Sequence, residues 1–398
     1  MKSLIDRLHE KFSSTEIHNA DVIPDTKKWD SFLASLPVAK DSIDEAFNKY
    51  KCRMYYFPLY KKIIINTLGL CAIPVVLIFL AMSNKSIRPK RKGIAVLEKS
   101  RDVPFYNDIF PETLYKQYSI EVSENFNKKF GILCKEAKTL FWKSVKKHPL
   151  NFFYNYFVYM ELATHSYFLL KYNPEATIVY VNNRNVASSI ITELYENNER
   201  QFISFMHGEF LRELFNVYMS FSKYYIWNKT YINMFKSLNC SIKQYEVYTP
   251  EKLKKKWNLE LITPEYFCTY YLSGQSKNSI LKLGELLEIL EREGKKCKVR
   301  PHPRNLQYIK EILNSFSHIT IENPNEISMK DSLASTQYAV GLNTTVLSEA
   351  YIEGRIVVID DISDPSHYED SKNRGAAAFS REHILLSDLL KTTQNGLL

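Results

Sequence analysis

Along the C-terminal two-thirds of the chain, short apolar runs alternate with stretches whose apolar residues recur at helical spacing. Ala176–Val181 reads as a strand closed by Asn182, Asn183, Arg184 and Asn185, and Val186–Tyr195 as the helix after it. Phe202–Met206 is the next strand, ending in His207, Gly208 and Glu209. Tyr224–Ile226 is a short strand before Trp227, Asn228 and Lys229, with another helix behind it. A charged stretch around Thr249–Leu259 opens a connection, and the pattern restarts. Phe267–Leu272, Cys297–Arg300, Ile319–Ile321, Tyr338–Gly341 and a last strand, Ile356–Ile359, are separated by Ile280–Glu293, Leu306–Phe316, Ser328–Ser335 and Thr345–Glu353, all of helical character.

Strands alternating with helices predict parallel sheets with right-handed crossovers. The pattern occurs twice. The expected fold is therefore α/β, with two facing Rossmann-like domains and an N-terminal helical, membrane-associating extension. The expected division is 1–92 for the extension, 93–262 for an acceptor-side domain that begins with a strand at Gly93–Leu97, and 263–398 for a nucleotide-donor domain.

Two earlier stretches break the alternation. From Pro111 to Tyr172 the chain reads as helical and is dense in aromatics, among them Phe152, Phe153, Tyr154, Tyr156 and Phe157, most of them suited to packing. Ile63–Met82 carries no charge over about 20 residues, enough to enter a bilayer core. A polar stretch precedes it, so it is no signal peptide. Lys61 and Lys62 lie before it, and Lys85, Arg88, Lys90, Arg91 and Lys92 after it, so the positive-inside rule gives no orientation. With Pro74 near its middle, the segment suits a re-entrant hairpin that leaves both ends cytosolic, on the cytoplasmic face of the membrane. A single span and burial in a soluble core are the rival readings.

Composition narrows the chemistry. Hydrophobic residues make up 45% of the 398, which excludes global disorder. The net charge of +9 suits an anionic partner: a phosphorylated donor, an acidic polymer or a membrane surface. No zinc-finger spacing or RNP-like run points to nucleic acid. Neither GxGxxG nor the Walker pattern occurs. The six cysteines, Cys52, Cys71, Cys134, Cys240, Cys268 and Cys297, form no CxxC pair and read as isolated thiols.

The candidate chemistry gathers at strand ends, where an open α/β sheet binds its ligands. Val299-Arg300-Pro301-His302-Pro303-Arg304 places a histidine between two prolines that fix the backbone, flanked by guanidinium groups suited to phosphate. Asn343, Thr344 and Thr345 open a helix that also carries Ser348 and Glu349, a start that favours an anion; an ordinary N-cap is the plainer reading. Ser273, Gly274 and Gln275 end the first strand of the second series and line the same side. His207 and Glu209 end a strand of the first series, and Gly208 lets backbone approach a ligand closely. Arg184 suits an acceptor, a phosphate or the surface. No strand ends in a DxD, and Asp360-Asp361 reads as a loop terminus.

At His207-Gly208, at Arg300-Pro301-His302-Pro303-Arg304, and at Asn343-Thr344-Thr345 with Ser348-Glu349-Ala350, the chain resembles bacterial GT-B glycosyltransferases of surface-polysaccharide synthesis. The resemblance is to the sialyltransferases of capsule and lipooligosaccharide and to the polyol-phosphate transferases of teichoic acid. It covers roughly residues 176–360. It implies that His302 contacts the leaving phosphate, that Glu349 holds the donor ribose, and that His207 or Glu209 is the base. With no DxD and no evident carboxylate nucleophile, the expected reaction is a metal-independent, inverting transfer from a nucleotide sugar, CMP-linked before others, to a glycan or lipid-linked acceptor, without a cofactor. Alternatives are a CDP-polyol phosphotransferase, a nucleotide-sugar epimerase of the same fold, and a noncatalytic scaffold of a polysaccharide assembly complex.

Overall fold

The computed structural model describes residues 26–97, 120–122, 131–180, 185–206, 210, 212–249, 254, 257–273, 275–342, 344–375 and 377–394. Two compact units divide the chain: Ser31–Glu251, and Lys252–Leu398 together with Met1–Asp30.

The first unit opens with helices. After α1 (Thr26–Ser35), which runs into it, come α2 (Ser42–Met54) and α3 (Leu59–Ala81). Asp41 caps α2, accepting from the Ile43 and Asp44 N–H groups at 3.1 and 2.9 Å, with acids in its first turn and Lys51 and Arg53 in its last. There follow β1 (Arg91–Leu97), β2 (Ile120–Val122), α4 (Lys135–Lys147), α5 (Phe152–Lys171), β3 (Pro174–Tyr180), α6 (Ser188–Glu196), β4 (Gln201–Phe205), β5 (Ser220–Ile226), α7 (Thr230–Ser237) and β6 (Ser241–Val247). The strands form one parallel sheet in the order β2-β1-β3-β4-β5-β6. Phe205 and Tyr225 are register partners on β4 and β5, and their rings stack at 4.4 Å. Helix α2 belongs with this sheet: Ser189 of α6 donates to the Ser42 carbonyl at 2.6 Å. The aromatics of α5 are mainly core, with Tyr154, Tyr159 and Phe168 fully buried.

The second unit alternates strictly: β7 (Tyr266–Tyr271), α8 (Lys277–Arg292), β8 (Cys297–Arg300), α9 (Leu306–Leu313), β9 (Thr320–Ile321), α10 (Met329–Ala334), β10 (Thr336–Gly341), α11 (Thr345–Ile352), β11 (Ile356–Ile359), α12 (Pro365–Asn373), β12 (Ile384–Leu385) and α13 (Leu386–Gln394). Its sheet is parallel too, in the order β12-β11-β10-β7-β8-β9. Neighbouring residues feed opposite cores. Tyr270, Val340 and Val358 join Leu283, Leu287 and Leu389 on one face, whereas Tyr271, Ala339 and Val357 join Leu347 and Ala350 on the other. A sheet covered on both faces explains why its strands read as unbroken apolar runs. The α/β expectation of parallel sheets thus holds in both units.

Three strands depart from the sequence reading. β2 lies in the stretch read as helical, and at three residues it is too short to impose a period. β6 was not expected; it is an edge strand with no buried residue, so its polar composition hid it. β12 follows the run taken as the last strand. The apolar segment also differs from the expected hairpin, since α3 runs unbroken through Pro74 for 23 residues. All six cysteines are free thiols, as read.

Candidate functional site

In the second sheet, β7, β8 and β9 step outward on one side, while β10, β11 and β12 step outward on the other. The order reverses between β7 and β10. Such a switch point leaves a crevice at the carboxyl ends of the two strands. The ends are level, because Tyr270 pairs with Val340 and Tyr271 with Arg300.

Beyond β7 lie Ser273, exposed, and Gln275, buried. The Gln275 carboxamide folds back on the turn: its Oε1 accepts from the Ser273 N–H at 2.9 Å, and its Nε2 donates to the Ser273 Oγ at 3.4 Å. Ser276 then caps α8, accepting from the Ser279 N–H at 3.2 Å. The Ser279 hydroxyl in turn donates to Asp364, the cap of α12, at 2.8 Å. Burial raises the Asp364 pKa, but hydrogen bonds from the His367 N–H, Ser279 and Ser366 outweigh it and leave the carboxyl below its ordinary range.

Beyond β10, Thr344 caps α11, its Oγ1 accepting from the Val346 N–H at 3.3 Å. A Cβ on Gly341 would lie 3.2 Å from both Thr344 Cγ2 and the Tyr271 carbonyl oxygen. Glycine therefore lets β10 close on β7 and α11 at the crevice. Thr345 is half-buried at the start of α11, Ser348 is buried, and Glu349 is half-buried one turn in.

His302 is exposed, two residues past β8, and its carbonyl accepts from the Asn305 N–H at 2.8 Å. It stands one strand from Ser273 and two from Thr344, roughly 10 Å across the sheet at ordinary strand spacing. Arg304 follows within the 3-10 turn Pro303–Asn305.

Arg300 sits differently from its neighbour. It is buried, with one amino group on Glu322 and the other donating to the Ile327 carbonyl at 3.0 Å. Lys298 meets the same carboxylate and donates to Ser335 at 2.8 Å. Burial alone would raise the Glu322 pKa; hydrogen bonds from Lys298, Ser332 and Arg300 reverse the sign and hold it below the ordinary value. The guanidinium expected to grip phosphate is thus engaged inside the unit. Glu322 escaped the sequence reading, and Lys298, the first residue of the same polar-ended run, was given no role of its own. The available signal was a charged residue ending one strand, another directly after the next, and a lysine inside an apolar run.

The aspartate pair is a loop terminus, as read. Asp360 accepts from Tyr270 at 2.7 Å, from the Ile362 and Ser363 N–H groups at 3.0 and 2.9 Å, and from the Ser363 hydroxyl. Burial, with the Asp360 carboxylate beside it, pushes the Tyr270 phenol well above its ordinary value. Asp361 accepts from the Ser387 N–H and hydroxyl at 2.9 and 2.6 Å.

The structure therefore brings Ser273, Gln275, His302, Thr344 and Thr345 to one sheet edge, with Ser348 and Glu349 on the helix behind it. Arg184, His207, Glu209, Gly274 and Asn343 lie outside the described residues. The first sheet reverses order between β1 and β3, and its strand ends lead into the undescribed 98–119, 181–184 and 207–209.

No family model and no curated protein matches the sequence. Among solved structures, the chain is similar to UDP-GlcNAc 2-epimerase from Methanocaldococcus jannaschii, at 15% identity and a TM-score of 0.40 over 77% of this chain and 92% of that one. It is similar to a UDP-glucose: anthocyanidin 3-O-glucosyltransferase in complex with UDP, at 10% identity and a TM-score of 0.41 over 78% and 91%. It is also similar to MurG from Acinetobacter baumannii, at 12% identity and a TM-score of 0.33 over 72% and 79%. These neighbours are glycosyltransferases and an epimerase. At such scores the likeness decides neither substrate nor mechanism.

Proposed function

We propose that the protein is a GT-B type glycosyltransferase of surface-glycan synthesis. It moves a sugar from a nucleotide-activated donor, CMP-linked before others, to a glycan or lipid-linked acceptor, without a metal ion. The observation that carries this reading is the reversal of strand order between β7 and β10, with a threonine-capped helix start beside it and His302 one strand beyond. A donor phosphate at that edge meets the positive end of α11, whose first turn also presents the Thr345 hydroxyl. His302 meets the departing phosphate oxygen and stabilises or protonates it as the glycosidic bond breaks.

Arg300 is assigned a different task from the one its sequence position suggested. Held by Glu322 and Ile327, it fixes the end of β8 and so the starting point of the His302 loop. The acceptor hydroxyl loses its proton to His207 or Glu209 in this proposal. Ser273 and Gln275 line the donor side, and Ser348 and Glu349 hold the ribose end.

Thermal-shift measurements with CMP, CDP, UDP and GDP test the donor reading, because a ligand bound only by the folded state raises its stability by mass action. A shift with one nucleotide, reduced by Gly341→Val, supports it. No shift with any of them at millimolar concentration removes it. Product analysis with the matching nucleotide sugar then separates transfer to an acceptor from epimerisation and from polyol-phosphate transfer.

A further inference from the structure

We propose that α3 lies in the plane of a membrane, with its outer face in an anionic lipid leaflet and both of its flanks on the same side. This does not rest on the catalytic reading. At 1.5 Å per residue the 23-residue helix is about 35 Å long. Its most apolar window has a mean hydropathy of 2.6, yet only 22% of that window is buried. A core helix of this composition would be enclosed; this one exposes Ile63, Leu70, Leu77 and Ile78 at 58, 47, 48 and 62%. An apolar surface of this extent marks an interaction site.

The inner face settles the orientation. Ile65, Gly69, Val76 and Leu80 are buried. Asn66 ties α3 to the start of α5: its amide donates to the Leu150 carbonyl at 3.1 Å, and its oxygen accepts from the Phe153 N–H at 3.2 Å. One turn on, a Cβ at Gly69 would stand 2.4 Å from the Phe153 nitrogen, so the helices touch backbone to backbone. Just past the far end of α3, Ser83 accepts from the Leu133 N–H at 2.9 Å, and the Lys85 carbonyl accepts from the Lys135 N–H at 2.9 Å. Both ends are thus fastened to the same folded unit, and α5 beneath is largely buried in it. A helix held flat against a folded unit along its length cannot cross a bilayer without tearing away. It can lie in the interface with its outer face in lipid.

Charge selects lipid as the occupant. Lys61 and Lys62 stand in the first turn at one end, and Lys85, Arg88, Arg91 and Lys90, the last 3.7 Å from Glu199, follow the other, where anionic headgroups meet an inserted helix. A cavity of about 410 Å³ opens at the first end, lined by Tyr50, Lys51, Lys62 and Asn66 and by Ile63, which also belongs to the exposed face. It offers two ammonium groups to a headgroup phosphate beside an apolar path for the chain.

Cys71 supplies the probe, because it is the exposed cysteine and the other five are buried or half-buried. The full-length protein is labelled there with an environment-sensitive dye and mixed with vesicles of phosphatidylcholine, with and without phosphatidylglycerol. We expect a blue shift on the anionic vesicles, weakened by salt, and at least a ~10-fold loss of partition for Leu70→Asp with Ile78→Asp at an unchanged melting temperature. In a Cys71→Ser background, Lys61→Cys and Arg88→Cys should both react with an impermeant maleimide added outside vesicle-bound protein. Protection of one of the two positions would establish a span and overturn the in-plane arrangement. No partition into either vesicle, or a dimer dissolved by the same aspartates, would show that lipid is not the occupant. Each readout is lipid binding alone, so an inactive enzyme that still partitions leaves this inference standing.

Discussion

The Arg300 guanidinium and the Glu322 carboxylate form a buried ion pair where β8 and β9 end, and Lys298 shares the same carboxylate. The register makes the pair. Val299 is opposite Ile321, and the Glu322 N–H donates to the Val299 carbonyl at 2.9 Å, which sets Glu322 beside Arg300. Replacing Glu322 by Gln leaves two buried cations facing a neutral amide. We expect a loss of roughly 3–5 kcal/mol, the usual cost of removing one partner from a buried pair. Urea denaturation measures it, and a loss under about 1 kcal/mol would mean that the pair carries little.

The same site has a signed pH dependence. The folded-state pKa of Glu322 lies below its unfolded value. Its contribution is therefore complete above about pH 4.3 and fades as pH falls through the folded pKa, where the native carboxylate takes up a proton. In Glu322→Gln the acid-side decline in stability should be shallower than in the parent chain.

His302 should matter to turnover and hardly to stability. It is exposed, and its backbone carbonyl, which an alanine keeps, closes the turn after it. We expect His302→Ala to lower kcat on the order of 10²-fold, as loss of a donor to developing charge does, with a melting temperature like that of the parent. Activity within about threefold of the parent would take His302 out of the mechanism.

The contrast between His302 and Arg300 shows what was legible in the sequence. Apolar runs such as Ile356–Ile359, alternating with helices, announced a parallel sheet, and the polar clusters behind them marked its carboxyl edge. Side-chain direction was not legible. Arg300 and His302 are two residues apart, yet one turns inward to an acid just past the next strand while the other stays outside. That acid, Glu322, directly follows a two-residue strand, and only tertiary pairing brings it to Arg300. β6 was hidden for a related reason: an edge strand with a solvated surface has no apolar pattern to show.

Activity should survive excess EDTA. The carboxylates best placed by sequence to hold an ion, Asp360 and Asp361, are taken up by Tyr270, Ser363 and Ser387 and by main-chain N–H groups. His302 and the α11 start are then left to meet the phosphate charge. Turnover measured with chelator and after adding back Mg²⁺ or Mn²⁺ decides the matter; loss with chelator and recovery with the ion would give the phosphate charge to metal.

Lys49 predicts a rise of stability on the alkaline side. It is fully buried on α2, and burial is the main cause that brings its pKa down to about 7. Cys240 and Cys52 beside it would raise it only as thiolates, but burial pushes both thiols up to about 12, so they stay neutral across this range. The unfolded lysine keeps its proton to about pH 10.4. Between about pH 7 and 10.4 the unfolded chain therefore binds one proton more than the folded one, and stability increases with pH. Below about pH 7 both states are protonated, and the folded state carries the full cost of a buried ammonium. Lys49→Met should remove this rise and stabilise the protein at neutral pH by up to a few kcal/mol, the order implied by a gap of about three pKa units. Urea midpoints of the two proteins from pH 6 to 9.5 isolate the effect, since the other titrating groups are shared. Parallel curves would show that Lys49 reaches solvent when it ionises.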